Sequence, residues 1–360
     1  MTKLKKYDNI STRKEPWETE VCGEFHLWIS LIFYVGGFMK DFFTYEQQVE
    51  KLKEKGLIIR DEQEAIKFLK SEGYYNIING YSPNFKTTKG EFYKGTSFED
   101  IHNLYVFDKD LRSIMYKYTS SIETHVKALI AHEFSRVHGV DQNNYLKTES
   151  FSSNAKCADA ITRLISECNT TITEALNHNS NKYREYIAHN FNTHKHVPMW
   201  VLIRALSFGT TSILYKNMIT AERETIAKNY NVSASQLANM LEVVVSYRNI
   251  VAHGERTFCA RLPKTRLSTQ LSITRKLCIA KNAKGENKFG RNDFLALLIC
   301  CKYLLPSEEF KSLVAELTIL IDELATKLNL SMMARIRTSM GIKSNSWKIL
   351  PKLVIDDISN

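Results

Sequence analysis

The longest apolar pattern in this sequence runs from Phe98 to about His138 and repeats with the spacing of an α-helix. Apolar residues three or four positions apart form one continuous face on such a helix. They are Ile101, Leu104, Tyr105, Leu111, Ile114, Met115, Tyr118, Ile122, Val126, Leu129, Ile130 and Phe134. The segment is therefore predicted to be one long helix, or two helices that join near Asp108.

Shorter helical patterns occupy much of the remaining chain. Thr44 and Asp61 are suited to begin the first two helices, because their side chains can accept hydrogen bonds from the free N–H groups of a first turn. Gly56 and Gly73 are predicted to end them. Further helices are predicted over residues 155–176, 183–191, 199–217, 221–228, 234–253, 293–305 and 307–328, with Ser233 as the cap of the fifth.

The segments between these helices lack a clear helical period. Residues 74–81 are aromatic and rich in turn formers, which predicts a short strand or a loop packed on the core. Residues 143–154 are predicted to form a linker, residues 83–94 and 279–293 polar loops, and the tail from Ser339 a basic, less regular segment. The fold class is therefore predicted to be all-α.

The patterns divide the chain into four predicted parts, which together form a multi-helical bundle with a small N-terminal helical subdomain and a C-terminal helical extension. Residues 1–38 are an atypical extension, 39–97 the N-terminal subdomain, 98–278 the helical core, and 279–360 a helical pair with a basic tail. The codons for Gly36, Gly37 and Phe38 can read as a ribosome-binding site ahead of Met39, so we expect Met39 to be the native start.

The net charge and the cysteine content indicate which partners and which cellular compartment to expect. The formal net charge of +10 favours a polyanionic partner, nucleic acid first and an anionic membrane surface second. The seven cysteines are scattered, with no Cys-x-x-Cys pair, which predicts a reducing cytoplasm rather than a disulfide framework or a zinc site. The apolar run over residues 25–39 is too short to span a bilayer, so no membrane anchor is expected.

The segment with the clearest chemistry contains Arg248, Asn249 and His253. Cleavage of RNA without a metal needs a base for the ribose 2′-hydroxyl, an acid for the leaving 5′-oxygen, and a cation beside the phosphate. Histidine suits the proton steps because its ordinary pKa lies near 6.5. Arginine suits the phosphate because it is always charged and donates through a planar fork.

The spacing of this motif is not specific by itself. Sixteen arginines and ten histidines give about 0.4 chance matches to Arg-x4-His, and a second match occurs at Arg184 and His189. On a helix, Asn249 and His253 share one face, whereas Arg248 lies about 140° away from His253. We therefore expect Arg248 to bend back towards His253, or a second subunit to complete the site.

Several stretches, in a fixed order and spacing, point to one family. They are Thr44–Gln48, Leu52–Leu57, Tyr74–Tyr81, Phe107–Arg112, Ile122–Glu123, Pro198–Val201, Leu206–Gly209, Arg248–His253 and Asp293–Leu297. Over residues 43–352 the chain resembles the Abi family of bacterial abortive-infection proteins, in its AbiD/AbiF group. That family lies within the HEPN superfamily of helical domains, so the resemblance implies a HEPN-like core.

The resemblance also implies an activity. Many HEPN proteins are metal-independent ribonucleases whose signature is arginine, a polar residue, three more residues and histidine, which Arg248, Asn249 and His253 match position by position. Their sites are usually formed by two domains, often in a homodimer, and need no cofactor or metal. AbiF-like proteins are further associated with small noncoding RNA antitoxins, so an abortive-infection or toxin-type endoribonuclease is expected.

The residues after the motif both follow and depart from the family pattern. Gly254 stands where many relatives have a second histidine, and Glu255 follows it, whereas Arg256 fits the family's basic residue. With Phe258 interleaved, the basic stretch that follows is predicted either to hold an RNA backbone or to form a solvated face. Its residues are Arg256, Arg261, Lys264 and Arg266.

Other interpretations stay open. One is a non-catalytic RNA-binding protein on a HEPN scaffold, and another is membrane disruption through the N-terminal apolar run. Asp108 and Arg112 are predicted to form a simple ion pair within a helix. Trp200 and Phe208 are predicted to lie in the core, and the Arg184 pair and the histidines at 194 and 196 on the surface.

Overall fold

The computed structural model describes residues 41–342 and 345–355, so the expectations for residues 1–38, including the start at Met39 and the apolar run, lie outside it. The described residues contain fourteen α-helices and no β-strand beyond three isolated bridges, which confirms the all-α prediction. The helices are α1 (Tyr45–Glu54), α2 (Glu62–Glu72), α3 (Phe98–His138), α4 (Gln142–Tyr145), α5 (Ala158–Leu176), α6 (Glu185–His194), α7 (Met199–Leu202), α8 (Phe208–Asn217), α9 (Thr220–Lys228), α10 (Ala234–Ala252), α11 (Ser272–Lys276), α12 (Phe294–Leu304), α13 (Ser307–Lys327) and α14 (Leu330–Ser339).

The long apolar pattern forms a single helix, α3, of 41 residues and about 60 Å. Ser97 begins it with a capping box shared with Asp100, and Gly139 ends it with a φ of 79°. One of the two expectations was that two helices join near Asp108. Instead, Asp108 is fully buried within one continuous helix. Because α3 runs the length of the bundle, it contacts elements that are far apart in sequence.

Helix α10, which carries Arg248, is fixed by burial on most of its sides. It packs against α3, α8 and α12, and α13 lies alongside α3. Leu237, Met240, Leu241 and Val244 are buried beneath these neighbours. Ser233 accepts a hydrogen bond from the N–H of Gln236 and so caps α10 as predicted. Tyr247, Ile250 and Val251 are buried as well, so the core also holds the end of α10.

The predicted helix over residues 199–217 is wrong in one respect, because two helices occupy it. Helix α7 ends at Leu202, and Ser207 begins α8 by accepting a hydrogen bond from the N–H of Thr210 at 3.0 Å. Phe208 is buried as expected, but Trp200 is 49% exposed and the prediction that it lies in the core is wrong.

The segment over residues 74–81 is helical rather than a strand. Tyr75–Asn79 form a π-helical turn, and a 3-10 turn over Ser82–Phe85 follows it. The expectation that this segment packs on the core is confirmed, since Ile77 and Ile78 are buried.

The region beyond residue 270 is more regular than predicted. The sequence patterns missed the short helix α11 and the helix α14. The basic tail also contains a 3-10 turn over Asn345–Lys352, in which Trp347 is buried. None of the described helices combines the length and the apolar character needed to cross a membrane.

Candidate active site

The side chains of the three motif residues lie in different environments. Arg248 lies on the side of α10 that faces α3, with about 30% of its side chain exposed. Asn249 and His253 are exposed. His253 is the residue that ends α10, and its N–H donates to the Asn249 carbonyl at 2.9 Å. Asn249 and His253 therefore lie one turn apart, as expected, and the helix ends at His253.

Arg248 contacts a carboxylate on α3. Its Nε atom lies 3.3 Å from Oε2 of Glu123, while Oε1 of Glu123 lies 2.7 Å from Nζ of Lys127. Lys127 also donates to the carbonyl of Leu206 at 2.7 Å. Glu123 is thus shared by two cations, and this cluster carries a net charge of +1. Lys127 would remain beside Glu123 if the Arg248 guanidinium turned towards another anion.

The turn after α10 fixes the backbone of His253. Gly254 has a φ of 71°, its N–H donates to the Val251 carbonyl at 3.3 Å, and the N–H of Glu255 donates to the Ile250 carbonyl at 3.0 Å. These two bonds form a Schellman motif, which favours glycine because side chains strain a left-handed residue. The glycine at position 254 is therefore the residue that this helix end requires.

His253 lines a cleft of about 410 Å³ between the end of α10 and the N-terminal helical region. The cleft wall is built from Tyr75, Asn76, Asn79, Gly80, Tyr81, Tyr105, Arg112, His253, Gly254, Glu255 and Arg256. Arg256 joins the two sides, since its Nη1 donates to the Gly80 carbonyl at 2.8 Å. Arg248 and Asn249 do not line this cleft, so within one chain they face a different surface from the cleft wall of His253.

A buried carboxylate on α3 holds the floor of the cleft together. Asp108 is fully buried and accepts hydrogen bonds from the Tyr81 hydroxyl at 2.8 Å and from Arg112 at 2.9 Å. It also accepts from the backbone N–H groups of Thr257, at 3.2 Å, and Phe258, at 2.9 Å. One side chain therefore ties α3 to both the N-terminal region and the segment after His253.

Burial raises the pKa of the ionisable groups at this carboxylate. Burial raises the pKa of Asp108, and the Arg112 charge and the three other hydrogen-bond donors act against that rise. Burial and the Asp108 charge raise the pKa of Tyr81 well above its ordinary value. Burial and a hydrogen bond to Glu72 raise the pKa of Tyr105 to about 12. Both tyrosines therefore keep their hydroxyl protons at neutral pH.

A family model for Abi-like proteins matches residues 67–259, more than half of the chain. The chain belongs to the Abi-like protein family. No curated protein and no solved structure matches it. Membership of this family suggests a role in abortive-infection phage defence.

The matched segment of this Abi-like protein contains the whole cleft. It begins within α2 and ends at Cys259, one residue after the N–H group that binds Asp108. Helices α12, α13 and α14 lie beyond it. The motif, the buried carboxylate and the cleft wall therefore all belong to the part of the chain that the family shares.

The basic stretch after the motif does not form one surface in this Abi-like protein. Arg256 lines the cleft, whereas Arg261 lies 3.4 Å from the buried carboxylate of Asp293. Lys264 and Arg266 are exposed outside the cleft wall. Only Arg256 of the four residues predicted to bind RNA is thus placed beside His253.

The second Arg-x4-His match lies on the surface. Arg184 precedes α6 as its cap residue, so it is not on the helix that carries His189. Both side chains are exposed, and neither lines the cleft. Among the described residues, no group of three or more histidine, cysteine or acidic side chains is placed to hold a metal ion.

Asp108 was not predicted to organise this site, although the sequence around it carried a signal. Asp108 falls on the apolar face of the pattern between Tyr105 and Leu111, where a charged residue is exceptional. An ionisable group on such a face predicts a buried partner in addition to the Arg112 ion pair. Tyr81 and Asn79 gave no comparable signal.

Proposed function

We propose that this Abi-like protein is a metal-independent HEPN endoribonuclease of the AbiD/AbiF group that acts as a toxin in abortive infection. The observation that carries the proposal is the end of α10. There His253 is exposed at a hydrogen-bonded helix cap and lines a cleft, five residues after the partly buried Arg248. The basic net charge of +10 supports a nucleic-acid substrate.

In the proposed reaction, the ribose 2′-oxygen attacks the adjacent phosphorus and the bond from phosphorus to the 5′-oxygen breaks. One histidine accepts the 2′-hydroxyl proton, and a second proton donor supplies the leaving 5′-oxygen. Arg248 stabilises the charge on the phosphate oxygens, and Asn249 orients the groups. The products are a 2′,3′-cyclic phosphate and a 5′-hydroxyl end.

The geometry of α10 supports a homodimer as the active form. One chain offers a single motif histidine, whereas the reaction has two proton-transfer steps. Arg248 and His253 also face different surfaces of one chain. Two motif helices that meet across a twofold axis would bring Arg248 of one copy towards His253 of the other. The proposed enzyme uses no cofactor and acts in the cytoplasm, where a small noncoding RNA restrains it until infection.

The competing function is a non-catalytic RNA-binding protein on the same HEPN scaffold. Its support is the ion pair between Arg248 and Glu123, which keeps the arginine away from the cleft. In that case Arg248 and His253 would bind RNA without cutting it. Tight, salt-sensitive binding of RNA that stays intact after long incubation would favour this function.

The test compares Arg248→Ala and His253→Ala with Arg184→Ala and His189→Ala, which have the same spacing on an exposed surface. Each variant is induced in bacterial cells, and growth and RNA integrity are measured. We expect the first pair to abolish growth arrest and RNA decay, and the second pair to retain both. Toxicity equal to the parent in both Arg248→Ala and His253→Ala would contradict the catalytic proposal.

A further inference from the structure

The cleft beside His253 has one wall made by an uncommon element. Tyr75–Asn79 form a π-helical turn, a geometry that often marks functional sites. Ile77 and Ile78 point into the core, whereas Tyr75, Asn76 and Asn79 are exposed and line the cleft. The turn therefore presents an aromatic ring and two amides, and no charge, to the space beside His253.

The charges in the cleft largely cancel one another. Arg112 is paired with Asp108 at 2.9 Å, and Arg256 is balanced by its neighbour Glu255 on the same wall. A phosphate would meet Glu255 as well as Arg256, so the cleft offers it no net attraction. A planar, uncharged group with polar edges fits this wall better, and a volume of about 410 Å³ is within the range of small-molecule sites.

The wall offers two hydrogen-bond acceptors to a partner that donates. One N–H of the Asn76 amide donates to the Glu72 carbonyl at 3.0 Å, so its amide oxygen and its second N–H remain for a ligand. The Glu255 carboxylate is a second acceptor, and the Asn79 amide can both donate and accept. Tyr75 adds a ring on which a base can stack.

We propose that this cleft binds one unpaired nucleobase of an RNA, next to the bond that is cut, and that it selects bases with an exocyclic amino group. Adenine, cytosine and guanine carry such a group and uracil does not. The proposal rests on the ribonuclease function proposed above and names its substrate as single-stranded RNA with a base other than uracil at one fixed position.

The first test sequences the ends produced from a random-sequence single-stranded RNA pool. For the parent we expect depletion of uracil at one position beside the cut. Tyr75→Ala and Asn79→Ala should each weaken that preference and slow cleavage about tenfold. Tyr116→Ala, which removes an exposed tyrosine of α3 outside the cleft, should change neither. Cleavage by the parent with no base preference would overturn the proposal.

A second test does not depend on cleavage. His253→Ala is irradiated with single-stranded RNA that carries 4-thiouridine or 6-thioguanosine, and cross-linked tryptic peptides are identified by mass spectrometry. We expect 6-thioguanosine to cross-link to the peptide over residues 71–86, more than 4-thiouridine does. Cross-links confined to other peptides would overturn the base site. Absence of cleavage by the parent, with this cross-link present, would contradict the ribonuclease function and leave the base site supported.

Discussion

The carboxylate of Asp108 accepts a hydrogen bond from the backbone N–H of Phe258 at 2.9 Å, across 150 positions of sequence. This contact joins the middle of α3 to the segment that follows His253. The same carboxylate binds Arg112 and the Tyr81 hydroxyl. The position of His253 relative to the cleft therefore depends on Asp108, which is not part of the cleft wall.

Replacement of Asp108 by alanine is expected to lower the free energy of unfolding by about 3–5 kcal/mol, because it leaves Arg112 and two backbone N–H groups without their buried acceptor. Urea unfolding followed by circular dichroism measures the change. Asp110→Ala, an exposed neighbour on the same helix, is the control and should leave stability nearly unchanged. Equal stabilities for the two variants would show that Asp108 does not organise the site.

Replacement of Glu123 by glutamine is expected to separate RNA binding from turnover. The variant loses one negative charge beside Arg248, so RNA should bind about threefold more tightly at low salt. Cleavage should slow about tenfold, because Arg248 loses the partner that positions it. Single-turnover kinetics and fluorescence polarisation measure the two effects. The control is Glu316→Gln, which removes a carboxylate of α13 that pairs with Lys117 of α3, and it should change neither RNA binding nor cleavage. Unchanged cleavage in Glu123→Gln would argue against a positioning role for Glu123.

Replacement of Gly254 by alanine is expected to lower stability by about 1–2 kcal/mol, since its φ of 71° strains any residue with a Cβ atom. Among the described residues, no atom outside its chain neighbours lies within 4 Å of such a Cβ, so the cost arises from the backbone alone. Gly209→Ala on α8 is the control, because its Cβ would meet only ordinary contacts. The melting temperatures of the two variants should differ by about 1–3 °C in a chain of this length, and identical melting temperatures would refute the Schellman interpretation.

Stability is expected to fall as the pH rises from 6.5 to 8, because of Glu222. Burial and the nearby charge of Glu133 raise the pKa of Glu222 to about 7, and Arg136 acts against that rise. The folded state therefore holds this proton more tightly than the unfolded state, whose carboxyl titrates near 4.5, and the stabilisation is lost as the pH rises through 7. The expected loss above pH 6.5 is about 1 kcal/mol.

His138, whose ring lies 2.7 Å from Glu222, contributes with the opposite sign. Burial lowers the pKa of His138, so its effect raises stability with pH until the histidine of the unfolded state has lost its proton, at about pH 7.5. The difference between the parent and a Glu222→Gln variant over this pH range should therefore isolate the contribution of Glu222. Urea unfolding at several pH values measures it, and a Glu222→Gln variant with the same decline would contradict the assignment.

Most of the helices were predicted correctly because helix caps and apolar periods depend on residues that are close together in the sequence. Thr44, Asp61 and Ser233 cap helices as expected, and the long apolar period gave α3. The break between α7 and α8 was missed because apolar residues continue across it, although Ser207 was a suitable cap. A helical period alone does not show where two short helices turn.

The cleft could not be predicted in the same way. It joins Gly80 to Arg256, which are 176 positions apart, and no period in the sequence relates them. The motif predicted which residue types suit RNA cleavage, but not that Arg248 would pair with Glu123 or that His253 would end its helix. Those facts depend on how α10 packs on α3, and packing is a property of the whole fold.

The most direct test of the central claim is the cleavage of a 5′-labelled single-stranded RNA by the purified protein in the presence of EDTA. We predict products with 2′,3′-cyclic phosphate ends, a rate that EDTA does not change, and a loss of at least a hundredfold in His253→Ala but not in His189→Ala. Cleavage by His253→Ala at the parent's rate, or RNA left intact by the parent, would contradict the account.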